Sequence, residues 1–560
     1  MMEAGIPTRP GEDAVPSWGS QTPLVPLETS TPFPGPVGVP DDGVNGGSLL
    51  GQTLDIPRRC NTRQNLTDAT QPEIRRSLAK AWRSMWASQI DEAVRTVERV
   101  ERELGDVPAN AAKPLHAATQ LLRAAGLAFQ DDSLGALAIA LPHLKARGTN
   151  EDCHAASTLC RLGFWRLGKY DSFYSLPRHI AHKRWSKSLA VSAMLDLSIE
   201  AAAALDHLHL STTKRLASEA SNIAECVLKE AGGLATFSAC LTAQVLYEEG
   251  CLDQAESILR DLLPVIDADG PIESALRAYL VLARIARQRM QYDFAALLLR
   301  EAEALGVRRG WPRLVAACFA ERASLLIQTG RITEARRSFK YFDDYAETHR
   351  AGAGCSEAEV LHYHALARWR LSWAEAPSTE AVVAVRQLYH HALESRNYYL
   401  GCELAVELVE MLAGLGETEE ADALFFHTVK VGAAAGLYQI FLDGGEGLGA
   451  ILSRAYDRTE ASGSKDRDVL PYLGTLLSRW NARGGGSRSV QARGRFTGKL
   501  SARECDVLAM ISQGMSNKRA AQSLKISPET VKSHVKSIFG KLAVGTRTEA
   551  VSRAGSLGLL

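Results

Sequence analysis

Four short stretches repeat one pattern at a set interval: "GCLDQA" at 250–255, "MQYDFA" at 290–295, "GRITEA" at 330–335 and "GETEEA" at 416–421. Ala255, Ala295 and Ala335 recur every forty residues, and Ala381 precedes Ala421 by the same step. Before each stretch lies a long apolar segment of helical period, such as "ALRAYLVLARIARQ" or "VAACFAERASLLIQ". Helix, sharp turn, helix is the implied unit. Glycine or a substitute ends the first helix, and a small residue lets the second pack close against it. One such pair cannot bury its own apolar face, so pairs at a steady period stack into a solenoid. "SQIDEA" at 88–93 and "LGKYDS" at 167–172 are degenerate copies of the same motif. The expectation is an all-α array over 67–480, with roughly eight to ten helix pairs.

The flanks of the array differ in kind. Residues 1–66 are crowded with proline and glycine and show no sustained apolar period, which predicts a disordered tail. They lack the basic start and apolar run of a secretory signal, and no eighteen-residue apolar run occurs anywhere, so no membrane partner is expected. The ten cysteines, Cys60 to Cys505, contain no C-x-x-C pair. This argues for reduced, mostly buried thiols in a cytoplasmic protein. At 481–498, "NARGGGSRSVQARGRFTG" reads as a flexible linker; its arginines either track phosphates or merely keep the tether soluble.

Charge is unevenly distributed. The whole chain carries 64 Lys/Arg against 64 Asp/Glu, yet residues 491–560 hold twelve basic and four acidic residues. A basic terminal module on an otherwise acidic chain is the footprint of a nucleic-acid binder. Within it, Ser527 before Pro528 is a helix start, and Val531, Val535, Ile538, Phe539 and Leu542 share one face. Glu529, Ser533, Lys536, Ser537 and Gly540 fall opposite, with Lys532 and Thr530 at the flanks. That face is either an ordinary solvated surface or one that approaches a polyanion closely. Upstream, Ser501 and Glu504 form a capping box, and Ser516 caps a second helix. The tight connection through Lys525 and Ile526 makes a helix-turn-helix, whose second helix enters the major groove of duplex DNA. Thr546 and Glu549 cap a fourth helix.

"LSARECDVL…QGMSNKRAAQSLKISPETVKSHVKSIFGKLAVGTRTEAV" resembles the LuxR-type helix-turn-helix over 499–560. The resemblance implies that Lys532, Ser533 and Lys536 meet bases, while Asn517, Lys518 and Thr530 hold phosphates. It also implies a homodimer on DNA, with Thr548, Val551 and Ser552 at the contact. His534 matches the family histidine, and its place beside the apolar face points to packing. Ala520 and Ala543 depart mildly, the family having a larger aliphatic and a glycine there. The DNA-reading region of sigma factors uses a similar module, but the S-N-K, K-x-H and R-T-E-A-V elements fit the LuxR type better. The array is similar to the tetratricopeptide-like repeats of large LuxR-family regulators of the MalT type. Those carry an ATPase ahead of the array. Here Gly168-Lys169, Gly498-Lys499 and Gly540-Lys541 are followed by Tyr170, Leu500 and Leu542, so no phosphate loop is completed and no nucleotide cofactor is expected.

Other constellations carry less. His362 and His364 diverge on a helix, as do His390 and His391, so no metal site is expected. Trp82/Trp86 and Trp369/Trp373 are spaced for inter-helix packing, with a groove-lining role as the alternative for Trp369, and no nucleophile–base pattern points to an enzyme. The expected function is a bacterial DNA-binding transcription regulator with an effector or partner on its repeats. The alternative is a helical-repeat scaffold whose terminal module only localises it to DNA.

Overall fold

The computed structural model describes residues 70–86, 90–104, 109–145, 151–176, 187–227, 232–348, 355–461, 465–483, 502–512, 515–524 and 526–542. The tail at 1–66 and residues 484–498 of the linker lie outside them, whereas its first three residues, 481–483, are helical, continuing the last helix of the array, so the linker begins later than its composition suggests. The chain divides into two compact units, Met1–Arg479 and Trp480–Leu560.

The first unit is a row of helical hairpins. α1 (Thr70–Trp86) pairs with α2 (Ile90–Leu104), α3 (Ala109–Phe129) with α4 (Ser133–Ala140), and α5 (Glu151–Arg166) with α6 (Tyr170–Ser175). α7 (Lys187–Asp206) and α8 (Leu210–Val227), α9 (Gly232–Glu248) and α10 (Leu252–Asp269), and α11 (Ile272–Gln288) and α12 (Tyr292–Arg309) follow. α13 (Pro312–Gln328) and α14 (Ile332–Thr348), α15 (Cys355–Glu375) and α16 (Thr379–Glu394), and α17 (Tyr398–Leu415) and α18 (Thr418–Ala435) complete nine hairpins among the described residues. α19 (Gln439–Leu442), α20 (Leu448–Ala461) and α21 (Leu470–Arg483) come after them.

One turn recurs. Cys251 N–H reaches back to Leu246 O at 2.8 Å while Gly250, at φ +80°, bonds Tyr247 O at 2.9 Å. This left-handed close satisfies the orphan carbonyls of the first helix and starts the second at once. His209 to Ala204, Gln291 to Ala286 and Arg331 to Leu326 repeat the bond. Leu208 and Met290 take the glycine position at φ +63° and +59°, which a side chain tolerates only at a cost in strain.

The packing rule follows from the turn. Ala255, Ala295, Ala335 and Ala421 are each the fourth residue of a second helix, and each is at most 1% exposed. Ala93, Ala136, Phe173 and Thr213 occupy the same position in earlier hairpins and are equally buried. Ala335 sits in a cluster with Leu326 and Leu371. Ala335→Leu forces extra methyl groups into that cluster and is expected to cost about 1–3 kcal/mol. A urea-unfolding midpoint unchanged from wild type would refute close packing at this position.

Contacts also join hairpins distant in sequence. Trp311 Nε1–H donates to Phe129 O at 2.9 Å, and Tyr399 O–H donates to Glu248 Oε1 at 2.5 Å. Arg396 meets Asp171 at 2.8 Å across 225 residues. The array also buries charged side chains, Arg161, Asp196, Glu248, Glu273, Arg313 and Glu321 among them, which the forty-residue pattern does not reveal. His364 Nε2 lies 2.8 Å from Asp343, and burial pushes the His362 imidazole down to about 4. Trp373 packs so close to Gly414 that a Cβ there would come within 2.7 Å of its ring. Cys153, Cys160, Cys240, Cys318 and Cys402 are buried and form no disulfide.

Candidate nucleic-acid interface

Three helices of the second unit are described: α22 (Ala502–Ser512), α23 (Asn517–Leu524) and α24 (Pro528–Leu542). Their core is small: Val507, Leu508 and Ile511 from α22, Ala520 and Ala521 from α23, and Val531 and Ile538 from α24, all at most 3% exposed. Met510, Leu524, Ile526 and Val535 pack around them. Ala520, where a larger aliphatic is expected, is fully enclosed at 1%.

Local chemistry sets the two helix starts. Ser516 Oγ accepts from Arg519 N–H at 3.4 Å, and Ser527 Oγ accepts from Thr530 N–H at 3.1 Å. The Ser527 and Thr530 hydroxyls also share a bond of 2.8 Å. Ile526 N–H closes the turn onto Ala521 O at 3.0 Å. An Arg503 guanidinium N–H donates to the Leu524 carbonyl at 2.6 Å, satisfying the end of α23. α24 is thereby fixed at its first turn.

The polar face of α24 is open. Glu529, Thr530, Lys532, Ser533 and Ser537 are exposed, and Lys532 lies only loosely against Glu529 at 3.8 Å, its side chain 72% accessible. A lysine this free pays little to leave its intrahelical partner for a phosphate or a base edge. Lys518 and Arg519 are exposed at the start of α23, whereas Asn517 is half-buried. His534 is half-buried beside Val535. The side chain of Lys536 lies outside the described residues, as do Ser501, Ala543, the fourth helix and Thr548, Val551 and Ser552.

Two groups acquire roles that spacing alone does not give. Glu504 is 4% exposed and accepts from Ser537 Oγ at 2.7 Å, tying α22 to the middle of α24. Arg519 adds a second exposed cation beside Lys518; its signal was the adjacent basic pair in "SNKRAA".

Residues 498–554 match the family model described as bacterial regulatory proteins, luxR family. The terminal module is a luxR-family helix-turn-helix domain. HTH-type transcriptional regulator MalT of Vibrio campbellii is 25% identical over 338 residues, 57% of this chain and 35% of that protein. Putative HTH-type transcriptional regulator Mb0914c of Mycobacterium bovis is 34% identical over 173 residues, 29% of this chain and 18% of its own length. HTH-type transcriptional activator RamA of Corynebacterium glutamicum is 50% identical over 64 residues, 11% of this chain and 23% of that protein. The chain thus spans about a third or less of the length of these curated relatives.

Proposed function

We propose that this protein is a sequence-specific transcription regulator that reads DNA through α24, as a homodimer in a bacterial cytoplasm. The observation that carries the reading is the exposed Thr530–Lys532–Ser533 face of α24, set on a helix-turn-helix core. Lys532, Ser533 and Lys536 read base edges in the major groove, and Asn517, Lys518 and Thr530 hold phosphates. Thr548, Val551 and Ser552 form the dimer contact. The regulators among its relatives support this reading, as does the lack, among the described residues, of a helix long and apolar enough to cross a membrane. The repeats over 67–480 take an effector or partner that governs the reader over 499–560.

Binding-site selection and gel-shift titration of the full chain test the roles. DNA affinity is expected to fall steeply with salt, because lysine and arginine displace condensed counterions. Lys536→Ala is expected to relax preference at particular base pairs by about 1–3 kcal/mol. Lys518→Ala is expected to weaken all sequences alike. If Lys532, Ser533 and Lys536 variants lose only general affinity, the module localises the protein without reading sequence, and the scaffold reading replaces this one.

A further inference from the structure

The first helices of the first seven hairpins surround a cavity of about 150 Å³. Its wall is mostly apolar, with Phe129, Leu159, Leu195, Ile199 and Phe237 among the lining residues. At one end stand Asp131, Arg166, Glu273 and Arg313. Arg313 bonds Asp131 and Glu273 at 2.7 Å each, and Arg166 reaches Glu359 at 2.6 Å through Nη2. Arg277 adds a third guanidinium, 2.8 Å from Glu273. Three guanidiniums therefore face three carboxylates, Asp131, Glu273 and Glu359, and the cluster is balanced.

Three donors in it make no hydrogen bond: Arg277 Nε, on a residue that does not line the cavity, Arg166 Nη2, which is held in the ion pair with Glu359, and Arg166 Nε. The Arg166 side chain is 7% exposed, and its Nε is buried without a hydrogen bond. A buried donor left unmet costs the full desolvation of that group, more when it is charged. The volume sets the scale of what could meet it: a space of about 150 Å³ lined by aliphatic and aromatic groups has room for a single aromatic ring. Charge limits it further, because an ionic ligand would unbalance a buried, already neutral set.

We propose that this cavity binds a small neutral molecule with one apolar ring and one hydrogen-bond acceptor, the acceptor meeting Arg166 Nε. This deepens the reading of the repeats as the sensing part and rests on it only for the consequence at DNA. Ser192 lines the cavity and is half-buried, so a larger side chain there fills the space a ligand would use.

The test uses the full chain with three probes, followed by calorimetry and thermal shift: acetophenone, toluene as the same ring without an acceptor, and benzoate as its charged counterpart. Acetophenone is expected to raise the melting temperature and to bind about tenfold tighter than toluene, the worth of one hydrogen bond to a charged donor. Benzoate is expected to produce no shift. Ser192→Phe is expected to abolish the acetophenone shift, and Arg166→Gln to reduce acetophenone to the level of toluene. Should Ser192→Phe not fold, Leu195→Trp fills the same space. No shift with acetophenone, equal affinity for acetophenone and toluene, or a shift that survives Ser192→Phe would overturn the proposal. A gel shift on the same samples separates the two readings. Acetophenone binding without a change in DNA affinity supports the cavity and refutes its sensing role. Absence of DNA binding in every state refutes the regulator and leaves the cavity result standing.

Discussion

Replacing Arg313 with methionine is expected to destabilise the repeat unit by about 3–5 kcal/mol, the range for breaking a buried ion pair from one side. Arg313 is 2% exposed and bonds Asp131 through two nitrogens, Glu273 at 2.7 Å and Glu359 at 3.2 Å. Burial alone would push the Glu273 carboxyl up, but the Arg313, Arg166 and Arg277 guanidiniums outweigh it and hold it well below the usual range. Methionine keeps most of the volume and removes the charge, so two guanidiniums would face three carboxylates. One carboxylate must then take a proton or draw in water, and either loosens the join between α13 and the turn at Asp131. Urea unfolding at neutral pH, with hydrogen exchange to locate the loss, measures the effect. The sign with pH follows: an added proton relieves the variant, so its deficit should shrink as pH falls toward the ordinary carboxylate range. Combining Arg313→Met with Asp131→Asn should recover much of the loss, since asparagine tolerates the φ of +67° at that turn. A deficit as large in the double variant would show that lost packing, and not lost charge balance, is responsible.

That network marks where the sequence stopped being readable. Hairpins show in the sequence when glycine closes the turn and alanine sits at the fourth position of the second helix, as with Gly330 and Ala335. The hairpin with Leu208 at the turn and Thr213 at the packed position obeys the same geometry, but neither residue announces it. Strain at one and a buried hydroxyl at the other are tolerated because the neighbouring hairpins hold the turn. Arg313 and Asp131 are 182 residues apart, and no local period relates them. In the terminal module, caps at Ser516 and Ser527 were legible because each acts within three residues. The Glu504–Ser537 bond spans 33 residues and was not; Ser537 lies on the polar side of the helical wheel, yet its hydroxyl turns inward to a buried carboxylate. Short-range chemistry can be read from spacing, whereas polar contacts between elements require the fold.

Glu248→Gln is expected to stabilise the protein progressively between pH 6.5 and 8. Glu248 ends α9 fully buried; its Oε1 accepts from Tyr399 O–H, and its Oε2 has no hydrogen-bond partner. Burial is the first cause that moves its carboxyl, pushing it up to about 8; Glu403 and Asp443 add to the rise, while the Tyr399 bond and Arg284 only partly oppose it. The native state therefore binds a proton that the unfolded chain releases near pH 4.5, the ordinary value. Stability from this group is fully present below that value and is lost as pH rises toward 8, at a limiting slope of about 1.4 kcal/mol per pH unit. Glutamine mimics the neutral carboxyl and cannot ionise, so it escapes the loss. Glu321 lies in the opposite regime: Arg284, Arg287 and Arg370 overcome its burial and hold it at about 2, so its contribution is lost only in acid. His207 and His362, both pushed down to about 4 by burial, withdraw stability as pH falls below 6.5. None of these groups changes the comparison above pH 6.5, and each is common to both proteins. Melting temperatures of wild type and Glu248→Gln across that interval should diverge with rising pH, the variant becoming the more stable. Parallel curves would mean that Glu248 is already ionised in the fold and that Arg284 compensates it fully.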